Sequence, residues 1–209
     1  MQSIKEIEEE IFRLTCVPDA VFGHTDHALR IFNDEVELQQ IPEELAHVLW
    51  NLVGLTNEKK YPNVLEVGIA SGYSVLAFDH FLDVDSFTLV DDGKHRHFLD
   101  IEEVLLDIDY HIFIGDSTSE HAVDFAKQRG PFDLIHIDAN HSYDYVSQDF
   151  KNYSEFLSEN GVIVLHDSLH QEGPRRVLIE TYRLEHDGFK VLCNIGHKFG
   201  SAIIARARV

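Results

Sequence analysis

Residues 63–74, Asn-Val-Leu-Glu-Val-Gly-Ile-Ala-Ser-Gly-Tyr-Ser, gather a carboxylate, two glycines and three hydroxyls into one short stretch. Val64 to Val67 reads as a buried parallel strand. Glu66 inside it is costly unless a polar group meets it. Gly68 and Gly72 let the backbone turn sharply and let a ligand approach with no Cβ in the way. The apolar period then changes through Val75, Leu76 and Phe78, which predicts a helix starting near Gly72. Strand, glycine loop and helix make the nucleotide-binding entry of a doubly wound sheet. The glycines stand as G-x-x-x-G, however, and a dinucleotide site wants G-x-G-x-x-G. Asp91 stands 23 residues past Gly68, a spacing that suits a carboxylate accepting ribose hydroxyls. The alternative for Asp91 is a plain turn, because Asp91-Asp92-Gly93 is turn chemistry.

The elements that must position these groups follow in order. Ser3 and Glu6 fit a capping box, and Ile4, Ile7, Ile11 and Leu14 make one helical face that Val17-Pro18 ends. Residues 19–40 read as irregular. His24, Asp26 and His27 there are ligand types without confirming spacing, and a solvated loop explains them better. A second helix starts at Pro42, with Glu43 and Glu44 in its first turn and Leu45, Val48, Leu49, Leu52 and Val53 facing inward. From Val64 the chain alternates. Predicted strands at 63–67, 87–90, 110–114, 132–137 and 162–165 are separated by helices at about 72–82, 98–108, 118–129, 143–157 and 174–186. A hairpin, 189–195 and 199–205, closes the chain around Gly196. The fold class is therefore α/β, a Rossmann-like three-layer α/β/α sandwich. Its seven-stranded, mostly parallel sheet has an antiparallel C-terminal hairpin strand. One domain spans 1–209, with an N-terminal helical segment over 1–56, taken as a cap on the sheet by analogy with folds of this kind, and the core over 57–209. Ligands of such sheets bind beyond the carboxyl ends of the strands. Those ends carry Gly68 to Gly72, Asp91, Asp116, Asp138, and His166 with Asp167.

Leu-Glu-Val-Gly-Ile-Ala-Ser-Gly-Tyr-Ser resembles the first motif of class I S-adenosylmethionine-dependent methyltransferases. Its Gly-Tyr-Ser ending is most similar to the small-molecule O-methyltransferases that act on catechol and caffeoyl-CoA. The likeness runs over residues 60–206 by order of elements, and the N-terminal quarter matches loosely. It implies that Glu66, Gly68, Ser71, Gly72 and Ser74 wrap the methionine part of the cofactor, with Tyr73 and Ser74 within reach of its carboxylate. Asp91 would take the ribose, Asp116 and Ser117 the adenine edge, and Asp138 would face the sulfonium. Asp116 has a second reading as the cap of the following helix. In the cation-dependent branch one aspartate follows strand four and an Asp-Asn or Asp-Asp pair follows strand five. Asp138 matches the first; His166 and Asp167 fall on the pair, so a histidine replaces a carboxylate. Asp138, His166 and Asp167 are thus the implied ligands of a divalent cation, Mg, Mn or another, imidazole favouring Mn, Fe, Co or Zn over Mg. A metal-free site, with His166 only hydrogen-bonding nearby, stays open. His141 lies where catechol-type enzymes carry a lysine base, and with a pKa near ~6.5 it is better poised at neutral pH. A simple hydrogen bond in the turn before the next helix is its other reading. The implied catalytic pair is His141 and Asp138. The resemblance also implies that Gln39-Gln40-Ile-Pro42 closes over the cofactor, and an ordinary helix start is its equal alternative.

Composition narrows the partners. A net charge of −20 and a pI of about 4.9 repel phosphate backbones and anionic membranes, and Arg175-Arg176 is too small a patch to reverse that. A small-molecule acceptor is expected, with no nucleic acid and no membrane; a homodimer is left open. No signal-like or membrane-spanning run is present. Cys16 and Cys193 lack metal or redox spacing, in keeping with a reducing cytoplasm. Two other classes remain: a non-catalytic binder or assembly subunit on the same fold, and, less favoured for want of the third glycine, a nicotinamide oxidoreductase.

Overall fold

The structure, a computed structural model, describes residues 2–15, 41–55, 60–95, 98, 101–183 and 188–207. His24, Asp26, His27, Gln39, Gln40 and Cys16 lie outside them. Seven strands form one sheet: β1 (Asn63–Val67), β2 (Ser86–Asp91), β3 (Tyr110–Ile114), β4 (Phe132–Ile137), β5 (Leu157–Leu165), β6 (Phe189–Ile195) and β7 (Ser201–Arg206), in the order β3-β2-β1-β4-β5-β7-β6. β1 to β5 pair in parallel, while β7 runs antiparallel to both β5 and β6. The helices are α1 (Ile4–Thr15), α2 (Pro42–Leu55), α3 (Tyr73–Phe81), α4 (Ile101–Val104), α5 (Glu120–Lys127), α6 (Tyr143–Ser154) and α7 (Glu172–Tyr182).

Strand alternation sorts the core into two layers. Val64, Leu89, Leu134, Val162, Val164 and Ile203 face α1, α2 and α3. Leu65, Val67, Val90, Ile135, Ile163 and Ile204 face α5, α6 and α7. Both faces are covered, which is why the strands read as continuous apolar runs. The capping box at α1 forms, the Ser3 backbone N–H donating to Glu6 at 2.7 Å and the Glu6 N–H to Ser3 Oγ at 3.3 Å.

Several boundaries differ from the sequence reading. Among the described residues the helix expected over 98–108 is only α4, Ile101–Val104, and the one expected from 174 begins at Glu172 and ends at Tyr182. β5 begins at Leu157, upstream of Gly161, because a register shift opposite Phe132 admits extra residues. A Cβ on Gly161 would stand 2.9 Å from the Phe132 carbonyl, so glycine permits that bulge. α6 ends at Ser154, short of Leu157, since 157 already belongs to β5. α5 begins at Glu120, with Ser119 as its cap accepting from Ala122 N–H at 3.2 Å.

Candidate functional site

Strand order reverses between β1 and β4, and a ligand crevice is expected there. Ladder bonds continue past the strand ends and fix where each loop begins. Gly68 N–H donates to Val90 O and Asp138 N–H to Val67 O, both at 2.8 Å, and Gly115 N–H to Asp91 O at 2.7 Å. The result is a cleft of about 480 Å³ lined by Gly68, Ala70, Asp91, Asp116, Ser117, Asp138 and Tyr145, among others. Gly68 has a φ of +86°, and a Cβ there would lie 2.3 Å from the Asp138 carbonyl oxygen. Only glycine lets β1 and β4 emerge this close together.

Asp91 is buried beneath the glycine loop. Its Oδ2 accepts from Ile69 N–H at 2.8 Å and Ala70 N–H at 3.1 Å, and its Oδ1 from Gly93 N–H at 2.7 Å. A carboxylate has about four acceptor positions, so one remains, on Oδ1. Glu66 is fully buried and met by two polar groups: Ser74 Oγ donates to its Oε1, and His136 Nδ1 lies 2.8 Å from the same oxygen. Glu66 Oε2 has no hydrogen-bond partner. Ser71 is half-buried in the loop, and Gly72 takes the left-handed conformation that starts α3. Asp116 Oδ1 accepts from Thr118 N–H and Oγ1 at 2.9 and 2.7 Å, a local turn.

Around Asp138 the side chains form a layered cluster. His166, 2% exposed, sets Nδ1 2.9 Å from Asp138 Oδ1, while its Nε2 stands 3.6 Å from Glu44 Oε1. His141 Nε2 lies 2.9 Å from Asp167 Oδ2 and 3.5 Å from Asp138 Oδ1. Neither contact is aligned as a hydrogen bond, and this buried nitrogen has no hydrogen-bond partner. Burial pushes the Asp138 carboxyl up, but the charge and hydrogen bond of His166, with the His141 ring close by, outweigh it and hold the carboxyl well below the usual range. The close carboxylates of Asp138 and Asp167 raise His141 to about 10. His166 rises to about 9, the Asp138 charge overcoming burial. Asp138, His141 and Asp167 offer ligand atoms that all lie within 4.8 Å of one another. His166 sits behind that trio, turned toward Asp138. Asp167 adopts a φ of +56°, a conformation Asp tolerates but seldom takes, and one that tends to mark functional sites.

Three contributors were not singled out from sequence. Glu44, in the first turn of α2, turns inward and is fully buried; its Oε2 accepts from Phe199 N–H at 3.1 Å and its Oε1 from Ser201 Oγ at 3.0 Å. The signal was there, since Glu44 falls one helical turn before Val48 and two before Leu52, on the apolar stripe. His136 pairs in register with Glu66 across β1 and β4, and strand alternation puts the two on one face. Tyr145, the third residue of α6, lines the cleft with no signal beyond its nearness to Asp138.

The glycine loop and the segments through Ser168 match a family model described as a methyltransferase domain, over residues 65–168. None of the curated proteins matches the sequence significantly. Among solved structures the chain is similar to the O-methyltransferase TomG from Streptomyces achromogenes, involved in tomaymycin synthesis and bound to S-adenosylmethionine: TM-score 0.64, 16% identity, 100% of each chain covered. It is similar to the MycE methyltransferase of the mycinamycin pathway, in complex with Mg, S-adenosylhomocysteine and mycinamycin VI: TM-score 0.59, 17% identity, 88% of this chain and 54% of that one. A ribosomal protein L11 methylase from Lactobacillus delbrueckii subsp. bulgaricus gives TM-score 0.58 and 17% identity over 79% and 78% of the chains. Identities this low establish the shared fold and leave the acceptor unspecified. With the sheet order, the cleft at its switch point and the family match taken together, the chain belongs to the class I S-adenosylmethionine-dependent methyltransferases.

Proposed function

We propose that the chain transfers the sulfonium methyl of S-adenosylmethionine to an oxygen of a small acceptor, assisted by a divalent cation. The observation that carries this reading is the meeting of Gly68, Asp91 and Asp138 in one cleft, with His141 and Asp167 beside Asp138. The glycine loop would cradle the methionine part, with Glu66 Oε2 the free acceptor for its ammonium. The remaining acceptor position on Asp91 Oδ1 would take a ribose hydroxyl, and the loop of Asp116 and Ser117 would border the adenine.

The residues beside Asp138 fit a cation. Two carboxylates and an imidazole converge, and His141 Nε2 is buried close to Asp167 without pointing at it, as atoms do around a shared centre. We therefore assign the third ligand to His141 and give His166 the task of orienting Asp138 from behind. A role for His141 as base needs the neutral imidazole, which its two carboxylate neighbours disfavour. When bound, a divalent cation would lower the pKa of an acceptor hydroxyl. The transfer is an in-line displacement, so the protein's own residues have to align donor and acceptor and exclude water. TomG, an O-methyltransferase, favours an oxygen acceptor, and MycE, in complex with Mg and mycinamycin VI, favours a small acceptor and a cation. The net charge of −20 weighs against a nucleic-acid acceptor.

The test is formation of S-adenosylhomocysteine with a panel of phenols and sugars, with Mn, with Mg, and with chelator. Turnover with Mn, lost on chelation and reduced about 100-fold or more in Asp138→Asn and His141→Ala, supports the reading. Full turnover in chelator by the wild type and both variants contradicts the cation. A non-catalytic role would show as cofactor binding with no product from any acceptor.

A further inference from the structure

Behind the cleft, α6 carries a buried acid with no part in the chemistry above. Asp149 is 0% exposed; its Oδ2 accepts from Ser117 Oγ at 3.1 Å, and its Oδ1 has no partner. One turn further on, Tyr153 donates its hydroxyl to the Ser117 carbonyl at 2.6 Å. Ser117 is thus gripped from the rear at both side chain and backbone, and its loop forms one wall of the cleft. The titratable groups facing Asp149 are Asp116 from the loop and Tyr153 from its own helix. Lys94 acts on Asp116 and Tyr145, and among the described residues Asp149 forms no salt bridge.

We propose that Asp149 is a positioning residue for the cofactor: as the neutral acid it holds the 115–119 loop through Ser117, and its ionisation releases that loop. This rests on reading the cleft as the cofactor site. The neutral form is favoured because a fully buried anion with one hydroxyl donor, no cation and an acid beside it is poorly compensated. Burial pushes the carboxyl up to about 7, outweighing the Ser117 hydrogen bond that opposes it, with Asp116 adding to the rise. At neutral pH, then, both protonation states of Asp149 are populated. Ionised, Asp149 accepts more strongly from Ser117 but bears the cost of a buried, unhydrated charge, so the anion favours conformations in which α6 and the loop part at Asp149 and water reaches the carboxylate. Tyr153 keeps its bond to the Ser117 carbonyl in either state, so the loop loosens without detaching.

The experiment measures S-adenosylhomocysteine affinity by calorimetry at pH 6 and pH 8 for the wild type, Asp149→Asn and Asp149→Leu. Amide hydrogen exchange of 115–119 in the ligand-free protein, corrected for intrinsic rates, accompanies it. If only the held state binds, wild-type Kd rises about tenfold between the two pH values, since apparent Kd scales inversely with the competent fraction. Asp149→Asn keeps a neutral acceptor for Ser117 and is expected to stay tight at both pH values, with exchange protection that no longer falls with pH. Asp149→Leu is expected to bind weakly at both. A flat wild-type profile, or an Asp149→Asn variant with the wild-type slope, overturns the proposal. If the wild type binds no S-adenosylhomocysteine at either pH, the cofactor reading fails. The exchange arm then still decides whether Asp149 holds the loop.

Discussion

Asp138 is shared by two imidazoles, and that sharing has a pH signature. His166 is raised to about 9 in the fold. A raised histidine contributes its full stabilisation below the unfolded value near ~6.5 and loses it as pH climbs through the folded value. In chelator the protein is therefore expected to lose on the order of 3 kcal/mol from this group between pH 6.5 and 9. Denaturant unfolding across that range should show a steeper loss in the wild type than in His166→Gln, where only the raised His141 still contributes. Equal slopes in both proteins would remove the ion pair from the stability balance. Asp138 and Asp167 were legible as candidates because acids at strand ends recur along this sequence. The choice between His141 and His166 as their third partner was not. It depends on which way each ring points from its loop, and neither spacing nor residue type encodes that.

At the scale of elements, α2 is tied to the catalytic edge by one residue. Glu44 bonds Phe199 and Ser201 at the entry to β7 and stands beside His166. Glu44→Ala strands one buried and one part-buried donor, an expected cost of about 2–3 kcal/mol. Glu44→Gln, which keeps an acceptor, should cost less. Chemical denaturation decides it, and an unperturbed alanine variant would mean that the bonds carry no net stabilisation. A second tie runs from α7. A Cβ on Gly173 would stand 2.3 Å from the His141 carbonyl oxygen, so the first turn of α7 rests on the backbone of the His141 loop. Gly173→Ala is expected to displace His141 and weaken Mn binding at least tenfold while leaving S-adenosylhomocysteine affinity within twofold. Equilibrium dialysis and calorimetry separate those two outcomes, and retained Mn affinity contradicts the packing argument. The β-α order, the glycine loop and the hairpin were readable from periodicity and turn residues. The early start of β5 was not, because a bulge shows only when the partner strand is present.

Across the whole molecule, the five parallel strands bring loops far apart in sequence to one rim, and the switch between β1 and β4 opens a cleft there. Sequence spacing already pointed to that rim. It could not show that Asp91 spends three of its acceptor positions on backbone amides of the loops. That bonding makes Asp91 a clamp on the glycine loop beside its proposed place at the ribose, so its removal would strike the pocket twice. The most direct measurement is a calorimetric titration of S-adenosylhomocysteine into the wild type and Asp91→Ala, both shown folded by circular dichroism. Saturable one-site binding by the wild type, weakened about 100-fold or more in the variant (roughly 3 kcal/mol), is expected. No binding by the folded wild type, or equal affinity in the two proteins, contradicts a cofactor site in this cleft.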